Sequence, residues 1–334
     1  MSDFFQSKSI TTLQSLCINA QMERELIASE KKIVVVVPCS MRHYRLGSIH
    51  HLIKQLQTIS FLHSIVIVLS GPDAENEKNK NDPFSSIVYR SDLITVLCAS
   101  EPGKGRALKV GFNYVHQQHQ NDAVVVTLDA DLQSFSSDFL LKLAYPIAVF
   151  GGHFNKGFYV RYSNNKLDGR LTRLLVFPLL YAISAQDPAN DLLQWLLAFR
   201  YPLSGDVAFS SQLLPKLALA DHWAYDISLL NSVYRSEQKL DVYQTELSEN
   251  YEHLHRSVEK EGELGLMEVS KDIVGYLLTA FTLDRPQLAA DYFQLAKQYS
   301  EKYRKLALFN GLTYSQEAEG DLIKRIYSQI ALLE

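Results

Sequence analysis

DAVVVTLDAD, residues Asp122 to Asp131, packs apolar, mostly β-branched residues into a short run that ends on two aspartates. An unbroken apolar run of this length predicts a strand buried on both faces, as in parallel sheets. Three similar runs lie upstream: IVVVVP (Ile33 to Pro38), SIVIVLSG (Ser64 to Gly71) and SDLITVLCAS (Ser91 to Ser100). Between them, LGSIHHLIKQLQTI (Leu46 to Ile59) and GRALKVGFNYVHQQH (Gly105 to His119) have helical periodicity. PDAENEKNKNDPFSS, residues 72–86, is polar and turn-rich and predicts an exposed loop. Strands alternating with helices over about 130 residues predict an α/β protein with a parallel, doubly wound sheet. In such sheets ligands bind beyond the carboxyl ends of the strands. Pro38-Cys39-Ser40, Ser70-Gly71-Pro72 and Asp129-Ala130-Asp131 occupy those ends and are expected to face one crevice.

The flanks are more helical. Residues 10–30 read as an amphipathic helix, GFYVRYS (Gly157 to Ser163) as a strand, and LTRLLVFPLLYAIS as a helix kinked by its proline near Phe177. From Asp272 onward the pattern is helical. The expected organisation is an N-terminal helix (1–30), a catalytic α/β domain (31–270) and a helical C-terminal extension (271–334).

The formal net charge of −4 over 334 residues argues against a general nucleic-acid binder, which needs a basic face. The three cysteines, Cys17, Cys39 and Cys98, have no metal-binding spacing. No signal peptide is read, and no apolar run reaches the ~20 residues of a membrane span. A cytoplasmic protein without a transmembrane segment is expected.

Two carboxylates two residues apart, where a strand opens into a loop, can share one divalent cation. Hard oxygens suit Mg²⁺ or Mn²⁺, which bind substrate phosphates as well. In EPGKGRALKVGF (Glu101 to Phe112), Gly103 and Gly105 flank Lys104 just before a helix. Such a turn lets backbone N–H groups approach an anion, and the lysine adds a point charge. It matches neither a Walker loop nor a dinucleotide fingerprint. Arginines cluster at Arg161, Arg170 and Arg173, and Ser204-Gly205-Asp206 form a turn before an apolar run. His253 and His255 stand beside Arg256, with alternate faces on an extended segment.

The ordered set VVVVP, PGKGRAL, LDADL, GRLTRLLVFPLL, YPLSGD and HRS…ELGLM resembles GT-A glycosyltransferases, which have a Rossmann-like nucleotide-diphospho-sugar transferase fold. It is most similar to the retaining glucosyl-3-phosphoglycerate synthases and the mannosylglycerate synthases, over roughly Ile33 to Leu278. The resemblance implies roles for single residues. Asp131, with Asp129 nearby, would hold the metal and the diphosphate, and His255 would be a further metal ligand. Asp226 would bind donor sugar hydroxyls, which makes Asp129, Asp131 and Asp226 the expected catalytic carboxylates. Lys104 would lie against the nucleotide, and Pro38, Cys39, Ser40, Ser70 and Ala130 would line its site. Arg42 stands where the family usually has an acidic residue for the ribose, which leaves UDP-glucose and GDP-mannose both open as donors. Leu203, Ser204 and Gly205 would cover the donor sugar and acceptor. Arg170 and Thr172 would grip a small anionic acceptor such as 3-phosphoglycerate or glycerate. Retention implies a front-face reaction, because no second carboxylate is placed as a nucleophile. Similar enzymes often pair through their C-terminal helices, so a homodimer is expected.

Two other readings compete. A sugar-nucleotide pyrophosphorylase would carry a glycine-rich basic loop after the first strand, and PCSMRHYRLG is not one. A degenerate glycosyltransferase-like domain, binding a sugar nucleotide or a partner without catalysis, draws its support from Arg42.

Overall fold

In the computed structural model the four apolar runs become neighbouring strands. The structure describes residues 6–14, 20–79, 84, 87, 90–236, 239–248 and 259–332, the side chains of 259–264 excepted. The strands are β1 (Thr11–Leu13), β2 (Lys32–Ser40), β3 (Leu62–Ser70), β4 (Ile94–Ala99), β5 (Ala123–Thr127), β6 (Phe154–Tyr159), β7 (Tyr162–Ser163), β8 (Lys166–Leu167), β9 (Val207–Ser210) and β10 (Val242–Ser248). Eight of them form one sheet in the order β1-β10-β6-β9-β5-β2-β3-β4. Val34 to Val37 and Ile65 to Leu69 are fully buried, as expected of strands covered on both faces.

The sheet is parallel except for β9, which runs antiparallel to both β5 and β6. That one reversal matters for function. It carries the beginning of β9, and the residues just before it, to the edge where the parallel strands end. Val207 pairs with Thr127, so Ser204-Gly205-Asp206 arrive beside Asp129.

The chain divides into two compact units: Met1–Tyr159 with Ser204–Leu254, and Val160–Leu203 with His255–Glu334. This cuts the chain differently from the expected division into 1–30, 31–270 and 271–334. The N-terminal segment is not one helix. Thr11–Leu13 is a strand that extends the sheet alongside β10, and among the described residues of this segment the helix spans Ala20–Ala28. The start of the predicted 72–86 loop is a short helix, Ala74–Asn79. Residues 160–203 join the C-terminal helices because their polar groups are satisfied there. Arg173 is buried and forms a bidentate ion pair with Glu319, one arm at 2.8 Å.

The proline of LTRLLVFPLL does not break its helix. A π-turn, Thr172–Val176, leads directly into the helix Phe177–Gln186, and the Phe177 N–H bonds Thr172 five residues back. Pro178 has no N–H to offer the Leu174 carbonyl four residues earlier. The buried Tyr292 hydroxyl donates to that carbonyl instead, at 2.9 Å. Just upstream, β7 and β8 form a hairpin whose two central residues, Asn164 and Asn165, have φ of 46° and 60°. Asparagine tolerates this left-handed region better than most residues, which suits a two-residue turn. Among the described residues no helix is long and apolar enough to cross a membrane.

Tyr292→Phe should lower unfolding free energy by about 1–3 kcal/mol, because it strands a buried carbonyl without removing much apolar contact. Urea unfolding followed by circular dichroism measures this, and an unchanged midpoint would refute the role given to the hydroxyl.

Candidate active site

The carboxyl ends of the first unit's strands hold a dense set of charges. Asp129 follows β5, Asp226 lies in the first turn of the helix Tyr225–Tyr234, and Lys104 opens the helix Lys104–His119. Lys104 Nζ is 2.8 Å from Asp129 Oδ1 and 4.0 Å from Asp226 Oδ2. Burial pulls the Lys104 pKa down, but Asp129 and then Asp226 outweigh it and hold the ammonium above the ordinary lysine range. Burial pushes Asp226 up to about 6, with the two cations Lys104 and Lys156 opposing the rise. Asp226 Oδ1 is buried and has no hydrogen-bond partner among the described residues.

The glycines around Lys104 serve first as a packing surface. A Cβ on Gly105 would lie 1.8 Å from the Ala220 carbonyl oxygen, and one on Gly103 would lie 2.6 Å from that of Asp221. The Arg106 N–H donates to the same Asp221 carbonyl at 2.9 Å. Gly103 also has φ of 145°, where side chains are strained. The loop predicted to cradle phosphate therefore brings Lys104 against the segment that leads to Asp226.

Gly205 works the same way from the other side. A Cβ there would sit 2.5 Å from Lys104 Nζ and 2.8 Å from Asp129 Oδ1. Ser204, Gly205 and Asp206 are buried with it. Asp129 and Asp131 are open to the same degree, with 22% and 21% of their side chains exposed, and His43 Nε2 lies 3.9 Å from Asp131 Oδ2. His43 belongs to the helix Met41–Arg45, which Ser40 caps by accepting from the His43 N–H at 3.2 Å.

On the expected nucleotide side, Ser40 and Ser70 are register partners at the ends of β2 and β3, and Ser70 is buried. Pro38 pairs with Val68 two residues earlier in that ladder. Ala130 is buried between the two aspartates. Cys39 is fully buried, and burial, then Asp131, push its thiol up to about 12. The Cys39 side chain is thus part of the core. Arg42 is exposed on the Met41–Arg45 helix.

Of the expected acceptor residues, Arg170, Thr172 and Leu203 belong to the second unit. Arg170 lines a cavity there with Leu266, Met267, Leu322 and Arg325. Thr172 is buried, and Leu203 is half-buried. His255 and His253 lie outside the described residues, and no metal-holding cluster of three His, Cys, Asp or Glu occurs among the described ones.

The sequence reading passed over His43, Tyr225 and Lys156. Tyr225 is fully buried with Lys104 Nζ 5.9 Å from its ring centroid. Lys156 is the lysine of β6, FNKGFY, in which every residue is buried. A lysine in such a strand was the available signal.

The fold and this strand-end carboxylate site define a GT-A glycosyltransferase. No family model matches the sequence. The chain is 30% identical to the glucosyl-3-phosphoglycerate synthase of Persephonella marina, over 97% of its own length and 87% of that protein. It therefore belongs to the glucosyl-3-phosphoglycerate synthase family. It also resembles crystal structures of the Mycobacterium tuberculosis glucosyl-3-phosphoglycerate synthase. One, in complex with Mn²⁺, UDP-glucose and phosphoglyceric acid, has TM-score 0.60 and 22% identity and covers 83% of this chain and 90% of that one. Another, with Mg²⁺ and UDP, has TM-score 0.60 and 22% identity and covers 83% and 89%. At this identity the structural likeness speaks to the fold.

Lys104→Met would leave the buried Asp226 and the half-buried Asp129 without their shared cation. A loss of about 3–5 kcal/mol in unfolding free energy is expected, as for other broken buried pairs. Thermal and urea unfolding of the variant test it, and a near-neutral result would show that the pair is dispensable to the fold.

Proposed function

We propose that this enzyme transfers glucose from UDP-glucose to a hydroxyl of 3-phosphoglycerate, with Mg²⁺ or Mn²⁺ and with retention of anomeric configuration. The observation that carries this reading is the division of labour at the end of β5. Asp129 is held by the Lys104 ammonium at 2.8 Å, while the Asp131 carboxylate two residues on lies 3.9 Å from His43 Nε2. The names of the P. marina relative and of the M. tuberculosis structures favour glucose, UDP and phosphoglycerate over the mannose alternative.

The residues present suit a hard divalent ion. Asp131 offers carboxylate oxygen, the ligand class that Mg²⁺ and Mn²⁺ take, and the resemblance adds His255. When bound, such an ion supplies positive charge for a departing diphosphate. The chain's own residues do the positioning. The unpartnered Asp226 Oδ1 is a buried acceptor suited to a sugar hydroxyl, which would relieve its desolvation. Gly205 lets the turn pack directly against Lys104 and Asp129, with no side chain between them. Pro38, Cys39, Ser40, Arg42, Ser70 and Ala130 form the nucleotide side. Arg170 and Thr172 grip the anionic end of the acceptor, because a guanidinium matches carboxylate and phosphate geometry. Leu203 and Ser204 cover the sugar. Catalysis is then mainly orientation and electrostatic stabilisation.

Thermal unfolding with UDP-glucose and Mn²⁺ should show stabilisation of about 2.7 kcal/mol at a hundredfold excess over Kd. The shift should require the metal, be absent with GDP-mannose and vanish in Asp131→Ala. A folded wild-type protein that responds to no sugar nucleotide would sink the reading. NMR of the product made with 3-phosphoglycerate should show the donor's α configuration kept. An inverted product would remove the front-face mechanism while leaving the donor assignment standing.

A further inference from the structure

Lys156 is 1% exposed in the middle of the sheet. Its ammonium donates to the Ser204 carbonyl at 2.7 Å. The two carbonyls that follow are also taken. Thr127 Oγ1 donates to Gly205 O at 2.6 Å, and the Gly157 N–H donates to Asp206 O at 2.8 Å. Three consecutive carbonyls of one turn are therefore held by donors on β5 and β6.

A neutral donor serves for two of them, so the charge at the third calls for a reason. Burying an ammonium costs several kcal/mol unless carboxylates compensate. Burial draws the Lys156 pKa down to about 8, and Asp226, then Asp206 and Asp129, oppose the fall while Lys104 assists it. Lys156 thus joins two things that are separate in sequence: the backbone of the 204–206 turn and the field around Asp226. Gly205 lies in that turn, and its Cα faces Lys104 and Asp129 so closely that a methyl would collide with both. A small displacement of the turn changes the wall of the site directly.

We propose that Lys156 is a positioning residue for glucosyl transfer, fixing the Ser204-Gly205-Asp206 turn against the Lys104–Asp129 pair. The inference rests on reading this strand edge as the donor site. Lys156 itself is walled off by the turn it holds, so it acts through Gly205 and Asp226.

The test is a double-mutant cycle of Lys156→Met with Gly205→Ala, in the full-length protein. Turnover with UDP-glucose, Mn²⁺ and 3-phosphoglycerate is read together with metal-dependent thermal stabilisation by UDP-glucose. Lys156→Met should lower kcat by about 10- to 100-fold, the cost of a misplaced wall, while the KM for UDP-glucose moves little. Donor stabilisation should persist, because Asp131 is untouched. The double variant should fall within about threefold of the worse single one, because both changes act through the same turn. Fully multiplicative losses, or a Lys156→Met kcat close to wild type, would overturn the proposal. If Lys156→Met does not fold, Lys156→Gln takes its place with the same expectations, since it keeps an N–H donor without the charge. Failure of both to fold would assign Lys156 to stability alone and refute the positioning role. A wild-type protein that neither binds nor turns over UDP-glucose would count against the donor-site reading instead, which keeps the two failures distinct.

Discussion

The Lys104 ammonium, 2.8 Å from Asp129 and 4.0 Å from Asp226, is the contact around which the first unit's strand ends are arranged. Asp129 adds to the rise that burial imposes on Asp226, and the ammonium opposes it. The cation lies between them at the end of β5, where Asp131 follows two residues after Asp129. The cation has to be delivered to that point. The glycines of PGKGRAL do this by letting the start of the Lys104–His119 helix touch the backbone at Ala220 and Asp221. Gly205 then has to be glycine, because the space a side chain would fill is already taken by Lys104 and Asp129. The small residues of this site are consequences of one close-packed charge cluster.

The antiparallel strand β9 follows from the same constraint. A parallel strand in that place would bring its carboxyl end, and the residues after it, to the functional edge. The reversed strand brings Ser204-Gly205-Asp206, which precede it, and lets donors from β5 and β6 fix their three carbonyls. Most of those bonds are backbone or short side-chain contacts that any α/β sheet could make. The exception is the Lys156 ammonium, and it lies on the side facing the Asp226 field. The second cation in the cluster moderates the rise that burial imposes on Asp226.

How much of this was legible in the sequence depended on the length of the signal. The four parallel strands β2 to β5 were plain because each is a run of apolar residues buried on both faces. DAD was plain because it terminates one of them. β9 was not, since VAFS is four residues long and its direction is set by its partners. β10, VYQTELS, carries polar residues that are satisfied only inside the sheet, as when Thr245 Oγ1 donates to Asn155 Oδ1 at 2.9 Å. β1 is three residues that need β10 to be a strand at all. Within the site, Lys104 stands out by the glycines on either side of it. Its partners Asp129 and Asp226 come from other elements, which no local motif shows. His43 had no such motif, because its relation to Asp131 exists only once β2 and β5 lie side by side.

The arginines of GRLTR show the same limit from the opposite direction. Arg170 and Arg173 are three residues apart, and nothing local separates their roles. In the second unit Arg173 is buried, paired with Glu319 in the helix Gln316–Leu332, and donates to the carbonyls of Leu167 and Asp168 at 3.1 and 3.2 Å. It is spent on holding the segment that leads into Gly169 and Arg170. Arg170 instead lines the cavity with Met267 and Arg325. The glutamate that makes the distinction lies 146 residues downstream. The C-terminal helices therefore do more than extend the chain: by fixing Arg173 they shape the stretch from Leu167 to Thr172.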